Sequence, residues 1–410
     1  MKKDKLLTII ALLICSWSLQ AQKKAVFIIL DGIPADVVES VQTPTLDEIA
    51  KEGGYARAYT GGIAGGYSET PTISAVGYNS LLTSTWANKH NVWGNDIKAP
   101  NYHYWSIYRV AKSQSPALKT AIFSTWLDNR TKLVGEGRSE AGDIKLDYAF
   151  DGFEHDQKQF PHTDDRKFIF DIDEHVSKEA GRYIMENSPD LSWVYLEYTD
   201  DIGHKYGDSH IMYEAVKKAD IQVKRVWDAI KYRKEHFKED WMIVITTDHG
   251  RDAETGKGHG GQSERERTIW IVTNNDDLND SFYQMPGMVD IMPSILSHME
   301  IQIPEHTARE IDGTSFVGDI KAKALQADVT NGTLTLKWKP YAEKGTAHFF
   351  ISTTNRFKEG GEDQYFELGE SEIRNGISQF KLPDVESTFL KVLMRTDAQF
   401  LNTWITIDQR

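Results

Sequence analysis

Ala25-Val26-Phe27-Ile28-Ile29-Leu30 is apolar at every position and breaks at Asp31-Gly32. A run with no polar face suits a strand buried inside a sheet that carries helices on both sides. The pattern returns twice. Residues 193–198 lead into Thr199-Asp200, and residues 241–247 lead into Asp248-His249-Gly250. Residues 121–123 and 268–272 read as further strands. Helical stretches lie between them. Met212, Ala215, Val216, Ala219, Val223, Val226, Trp227 and Ile230 recur at three and four, one apolar stripe on a helix starting near Asp208. Thr43-Pro44 reads as a helix start with Thr43 as its cap and Pro in the first turn. The alternation predicts an α/β layered domain.

Both ends of the chain depart from this pattern. Met1-Lys2-Lys3-Asp4-Lys5 precedes an apolar run from Leu6 to Leu13, with Leu19-Gln20-Ala21 as a cleavage site. Residues 1–21 read as a secretory signal peptide, so the protein is expected to be exported, to the periplasm or the extracellular space. Cys15, the single cysteine of the chain, would leave with it. The mature chain would then have no disulfide and no Cys nucleophile, and a metal would be held by His and carboxylates. No later segment reads as a membrane span. After about residue 320 the helical stripes stop. Residues 333–338, 348–352, 389–394 and 403–407 are strand-like, with turns at Asn331-Gly332 and Gly360-Gly361. The expectation is a catalytic domain over 22–320 and a small β-sandwich over 327–410, fibronectin-type-III-like, for which the sequence names no partner. The formal charge of −14 argues against a basic surface for duplex nucleic acid.

Three strand runs thus deliver Asp31, Asp200 and Asp248 to their carboxyl ends, where sites gather in open α/β sheets. An Asp in such a place is commonly only a turn or cap residue. Here His204 follows Asp200 by four residues, His249 adjoins Asp248, and Gly258-His259-Gly260-Gly261 places a further His in a flexible loop. Three Asp and three His make a ligand set for two divalent ions, of a kind suited to zinc, manganese or iron. Residues 69–84 are rich in hydroxyls, with a helix expected from Ser74. A Ser there either caps the helix or offers its oxygen beside backbone N–H groups that can hold an anion. Tyr67, Tyr78, Trp86 and Trp93 flank this segment as core or stacking residues, and Gly61-Gly62 with Gly65-Gly66 reads as a flexible rim.

In order along the chain, Leu30-Asp31-Gly32, Ser74 nine residues before Thr83-Ser84, His90-Asn91, Asp200-x-x-x-His204, Asp248-His249-Gly250, His259-Gly260 and Asp312-Gly313-Thr314-Ser315-Phe316 resemble the alkaline phosphatase superfamily, in particular its type I phosphodiesterase/nucleotide pyrophosphatase branch. The resemblance runs from about residue 24 to 318. It implies an alkaline-phosphatase-like mixed sheet sandwiched by helices, and a phosphodiesterase or nucleotide pyrophosphatase acting on a small phosphate ester or nucleotide. It implies two ions, zinc foremost: one on Asp200, His204 and His259, the other on Asp31, Asp248 and His249, with Ser74 bridging them as nucleophile. Thr72 is the second candidate for that role. Where family members carry an oxyanion-donating Asn three residues after the nucleophile, Gly77 stands, so the donor is expected to be Asn79 or a backbone N–H. Thr83-Ser84 and His90-Asn91 lack the usual Gly. Ser74 is not followed by the Pro and Arg of a sulfatase. A phosphomonoesterase on the same residues is the nearest alternative, and a binding protein with a weakened site the next.

Overall fold

The structure, a computed structural model, describes residues 21–383 and 386–406. The expected leader, all but its last residue, and Cys15 lie outside the described residues. Seven strands form the central sheet: β1 (Lys23–Leu30), β2 (Gly54–Tyr59), β3 (Thr120–Ser124), β4 (Tyr148–Phe150), β5 (Leu191–Leu196), β6 (Asp240–Thr246) and β7 (Thr268–Thr273). Their order is β2-β7-β6-β1-β5-β3-β4. The β6-β1-β5-β3-β4 part is parallel; β7 runs antiparallel to β6, and β2 antiparallel to β7. The sheet is therefore mixed, as expected.

The pleat explains why these runs are apolar throughout. In β1, Ala25, Phe27 and Ile29 enter one core, while Val26, Ile28 and Leu30 enter the other. Leu191, Trp193 and Tyr195 of β5 split from Val194 and Leu196 in the same way. Successive side chains of a strand face opposite sides, so in a sheet covered on both faces the middle of each inner strand is apolar on both, and the polar residues it holds, such as Ser192 and Thr246, are small and lie near the strand ends. Helices Lys167–Asn187 and His210–Phe237 cover one face. Helices Ser74–Thr83 and Ile291–His298 cover the other.

Two local expectations change. The apolar run 193–198 does not stay extended: β5 stops at Leu196 and a helix spans Tyr198–Tyr206. The buried Asp173 carboxylate accepts the N–H of Glu197 and of Tyr198 at 3.1 and 2.9 Å, which satisfies donors at that helix start. The Pro44–Glu52 helix begins at Thr43 as read, but the Thr43 side chain does not cap it. Asp220, from the long His210–Phe237 helix, accepts the N–H of Thr45 and of Leu46 instead, at 3.1 and 2.9 Å. A cap supplied from a distant helix leaves no local sequence signal.

The two missing glycines also find an explanation. Ser84 and Asn91 both have left-handed backbones, with φ of 54° and 59°. Glycine is the residue that adopts this conformation without strain; here Ser84 offsets the cost by donating to Val289 O at 2.7 Å, and Asn tolerates it. His90 between them is fully buried. Its Nδ1 accepts the Val92 N–H at 3.1 Å, so the ring proton sits on Nε2 and is donated to Ser80 Oγ at 3.0 Å. Burial lowers the His90 pKa to about 3. Between pH 6.5 and 3 the unfolded chain thus binds a proton that the native ring refuses, and stability is lost as the pH is lowered through that window, by up to about 1.4 kcal/mol per unit. His90→Gln is expected to flatten this acid limb; urea midpoints at pH 7.5 and pH 5 measure it, and an equal acid loss in both proteins would contradict the assignment.

From Ala322 onward the chain forms two antiparallel sheets. One holds β8 (Ala322–Thr330), β9 (Thr333–Pro340) and β12 (Ile377–Lys381) in the order β12-β9-β8. The other holds β10 (Thr346–Ser352), β11 (Phe366–Glu372), β13 (Phe389–Arg395) and β14 (Phe400–Thr406) in the order β11-β10-β13-β14. Leu334, Leu336 and Trp338 of β9 share a core with Phe349, Val392 and Leu401 of the second sheet.

These sheets dock on the helix-covered part through buried charge. Lys391 Nζ, 1% exposed, contacts both Glu310 carboxylate oxygens at 2.8 and 3.0 Å and Asp363 Oδ2 at 2.7 Å. Lys89 Nζ, equally buried, reaches Glu310 O, Asp312 Oδ1 and Asn402 Oδ1 at 2.7, 2.5 and 2.7 Å. Both ammonium groups lie over the Trp404 ring, 4.9 and 5.0 Å from its centroid. Tyr67, in the glycine-rich segment, packs on Phe389 and Trp404 at centroid distances of 5.7 and 5.3 Å.

Candidate active site

β6, β1 and β5 are adjacent, so their carboxyl ends bring Asp248, Asp31 and Asp200 to one rim. Asp31 and Asp248 are buried to 1% exposure or less. Each of the three carboxylates has one oxygen fixed by a donor. Asp31 Oδ2 accepts from the phenols of Tyr78 and Tyr195, the latter at 2.6 Å. Asp248 Oδ1 accepts the Gly32 N–H at 3.0 Å. Asp200 Oδ1 pairs with the Arg251 guanidinium.

The other oxygens of the first two carboxylates, Asp31 Oδ1 and Asp248 Oδ2, are buried and have no hydrogen-bond partner. They lie 3.6 and 3.1 Å from His249 Nε2. The His249 ring donates its Nδ1–H to Gly250 O at 2.9 Å, which leaves the Nε2 lone pair facing these oxygens. Two orphaned acceptors around a third lone pair, all buried, fit a cation. His259 is oriented alike: its Nδ1 donates to Thr72 O at 2.9 Å, and its Nε2 lies 3.9 Å from Asp200 Oδ1. His204 Nε2 closes on the same place, 3.2 Å from Asp200 Oδ2 and 3.1 Å from His259 Nε2. Asp31, Asp248 and His249 form one convergent group and Asp200, His249 and His259 another, so His249 stands between the two sets.

Burial dominates the electrostatics. It pushes Asp31 well above the usual carboxylate range, helped by the charges of Asp248 and Asp200, and it pushes Asp248 up to about 7. Burial acts upward on Asp200 too, but the His204 hydrogen bond and the Arg251 charge outweigh it and hold this carboxyl below its ordinary value. Burial lowers His249 and His259, so both rings are neutral, as ligands must be.

Ser74 opens its helix at the same rim, with Oγ 3.3 Å from His249 Nε2. Thr72 is engaged elsewhere: its hydroxyl donates to Gly261 O at 2.8 Å and accepts the Gly260 N–H at 3.0 Å, tying the segment before Ser74 to the loop that carries His259. Asn79 is not brought to Ser74. Five residues along a helix turn a side chain by about 140°, and Asn79 lines a small cavity with Thr83, Tyr104, Arg109 and Leu133. The face of this helix that meets the site carries Gly77 and Tyr78. A Cβ on Gly77 would come within 3.0 Å of Asp248 Cβ and of Asp248 O, so the missing side chain lets the helix approach the Asp248 loop. The amide that does lie beside Ser74 is Asn95, whose Oδ1 accepts the Ala75 N–H at 3.0 Å.

Sequence reasoning missed Asn95, Arg251 and Asp252. The Asp252 carboxylate accepts the N–H groups of Glu254, Thr255, Lys257 and Gly258 at 2.6 to 3.0 Å and so folds the loop from Arg251 to His259. An Asp followed by Thr-Gly within four residues is a turn signal, and it was the one clue available.

A model of the family described as "Type I phosphodiesterase / nucleotide pyrophosphatase" matches residues 25–261, a span that contains every residue of this constellation. Ectonucleotide pyrophosphatase/phosphodiesterase family member 7 of Rattus norvegicus is 25% identical over 249 residues, which cover 56% of this chain and 50% of that protein. The chain spans half or less of the length of the curated relatives it matches. Among solved structures, the phosphonate monoester hydrolase of Agrobacterium radiobacter superposes with a TM-score of 0.51 at 12% identity, over 94% of this chain and 89% of that one. An inactive form of murine ectonucleotide pyrophosphatase/phosphodiesterase 5 in complex with AMP does so with a TM-score of 0.50 at 13% identity, over 69% and 96%. At such identities the likeness is one of fold.

Proposed function

The chain belongs to the type I phosphodiesterase/nucleotide pyrophosphatase family, and on that premise we propose that it is an exported phosphate-ester hydrolase that uses two divalent ions, zinc foremost, and a covalent phospho-Ser74 intermediate. The observation that carries the reading is the meeting of Ser74 Oγ with two orphaned carboxylate oxygens around His249. Asp31, Asp248 and His249 would hold one ion, and Asp200, His204 and His259 the other. When bound, such ions lower the pKa of the attacking hydroxyl and neutralise charge on the phosphoryl oxygens.

The chain's own groups then do the following. Ser74 Oγ, at a helix N-terminus whose dipole favours an anion, forms a bond to phosphorus as the bond to the leaving oxygen breaks. The leaving alkoxide takes up the proton that Ser74 gives up. Water next attacks the same phosphorus, breaks the Oγ–P bond and returns a proton to Ser74. Asn95, whose Oδ1 is held by the Ala75 N–H next to Ser74, takes the role of amide donor to a phosphoryl oxygen in place of Asn79. The substrate class is a phosphodiester or nucleotide, in line with the AMP held by the murine structural neighbour. No helix among the described residues is long and apolar enough to cross a membrane. We assign residues 22–320 to catalysis and the strands from Ala322 onward, where β8 begins ahead of the expected residue 327, to a fibronectin-type-III-like sandwich; its three-plus-four antiparallel strands support that kinship.

Metal analysis of the purified protein beside a panel of chromogenic esters tests the reading. Two ions per chain are expected, with a diester cleaved faster than the matching monoester, activity lost to a chelator and restored by Zn²⁺. Activity untouched by thorough chelation would overturn it, and a faster monoester would move the substrate class to phosphomonoesters.

A further inference from the structure

The donors that fix the three carboxylates are not alike. Those on Asp31 are two neutral phenols, and the one on Asp248 is a backbone N–H. The donor on Asp200 is a guanidinium, a cation. Arg251 is 1% exposed and cannot swing away. Its Nε donates to Gly32 O at 2.9 Å, Nη1 to Lys257 O at 3.0 Å, and Nη2 to Asp200 O at 2.8 Å as well as to the Asp200 carboxylate. It fills space that exists because Gly32 and Gly203 lack side chains: a Cβ on Gly32 would fall 2.6 Å from Nη2, and one on Gly203 would fall on the guanidinium itself. The positive charge is thus built into the floor of the site.

Resting on the two-ion reading above, we infer that Arg251 makes the two ion sites unequal, so that the Asp200–His204–His259 site holds its divalent ion more weakly than the Asp31–Asp248–His249 site. The second set offers two carboxylates with no cation against them. The first offers one carboxylate already paired with a cation, and two imidazole rings that bring no negative charge. A fixed charge beside a ligand weakens that ligand as an electron donor and repels the ion directly. Orientation does not reverse the order, because neutral donors orient the other two carboxylates equally well. The weaker ion is the exchangeable one, and Arg251 is a positioning residue that sets its affinity without touching it.

Equilibrium dialysis of the metal-free full chain against Zn²⁺, with metal analysis, reads this directly. Wild type is expected to bind two ions in two classes separated by on the order of tenfold or more, and His204→Ala to lose the weaker class alone. Arg251→Met should tighten the weaker class by on the order of tenfold and leave the tighter one in place, while Arg251→Lys, which keeps the charge, should preserve the gap. Two equal sites in wild type would overturn the inference, as would loss of the tighter class in His204→Ala, or a weaker class that Arg251→Met leaves unchanged or weakens further. If the Met variant does not fold, wild type and His204→Ala decide alone. Binding of fewer than two ions by wild type is a separate result, which removes the two-ion reading itself.

Discussion

Ser74→Ala is expected to lower kcat by roughly a thousandfold or more while leaving bound metal and the melting temperature nearly unchanged. The size follows from the role: loss of a nucleophile removes the covalent route, and what survives is catalysis by the remaining charges and binding groups. The selectivity follows from the place. Ser74 Oγ has its one close partner in His249, at 3.3 Å, and Ala is a good residue for the first turn of a helix. The contrast with Thr72→Val sharpens the test. Thr72 ties two loops together through Gly260 and Gly261, so its loss should weaken metal retention on His259 and lower kcat by a smaller factor, with a phospho-enzyme still trapped on Ser74. A Ser74→Ala enzyme of normal activity beside a dead Thr72→Val enzyme would exchange the two roles.

Lys391→Met is expected to cost about 3–5 kcal/mol of stability, the largest effect foreseen outside the active site. One ammonium group there serves both Glu310 and Asp363, and all three side chains are nearly inaccessible, with 1, 4 and 2% exposure. Removing one partner of a buried ion pair leaves charge that neither water nor another group compensates. Burial raises the Glu310 pKa even with Lys391 and Lys89 close by, so the Met variant should regain part of its stability at acid pH, where Glu310 can take up a proton. Glu310→Gln in the same background should restore part of the loss at neutral pH. Urea unfolding of the single and double variants measures both. A loss under 1 kcal/mol would mean that the pair contributes no more than an exposed one.

The parts of this molecule legible in the sequence are those whose signal is local. β1, β5 and β6 announce themselves because both their faces are buried, and their ends carry the acids. The helix at Ser74 follows from the residues around it. What was not legible depends on distant partners. Asp220 and Asp173 satisfy helix starts from other elements. β11 (Phe-Glu-Leu-Gly-Glu-Ser-Glu) has little alternation, because most of its side chains lie at the surface. Asn95 lies 21 positions after Ser74 and reaches it only through the folding of the loop, whereas Asn79, close in number, is turned away by helix geometry. Nothing beside Arg251 in the sequence marks it as buried; the room for it is made by Gly32 and Gly203, which face it from other elements.

The docking of Tyr67 on Phe389 and Trp404 sets an order of events in the birth of the protein. Ser74 and the six candidate ligands are all translated by residue 259, and domains fold as units while synthesis proceeds. The segment that borders them still lacks part of its support at that moment, because its aromatic prop and one of the acceptors for Lys89, Asn402, belong to β13 and β14. The border of the candidate site is therefore completed only when the second antiparallel sheet closes on it.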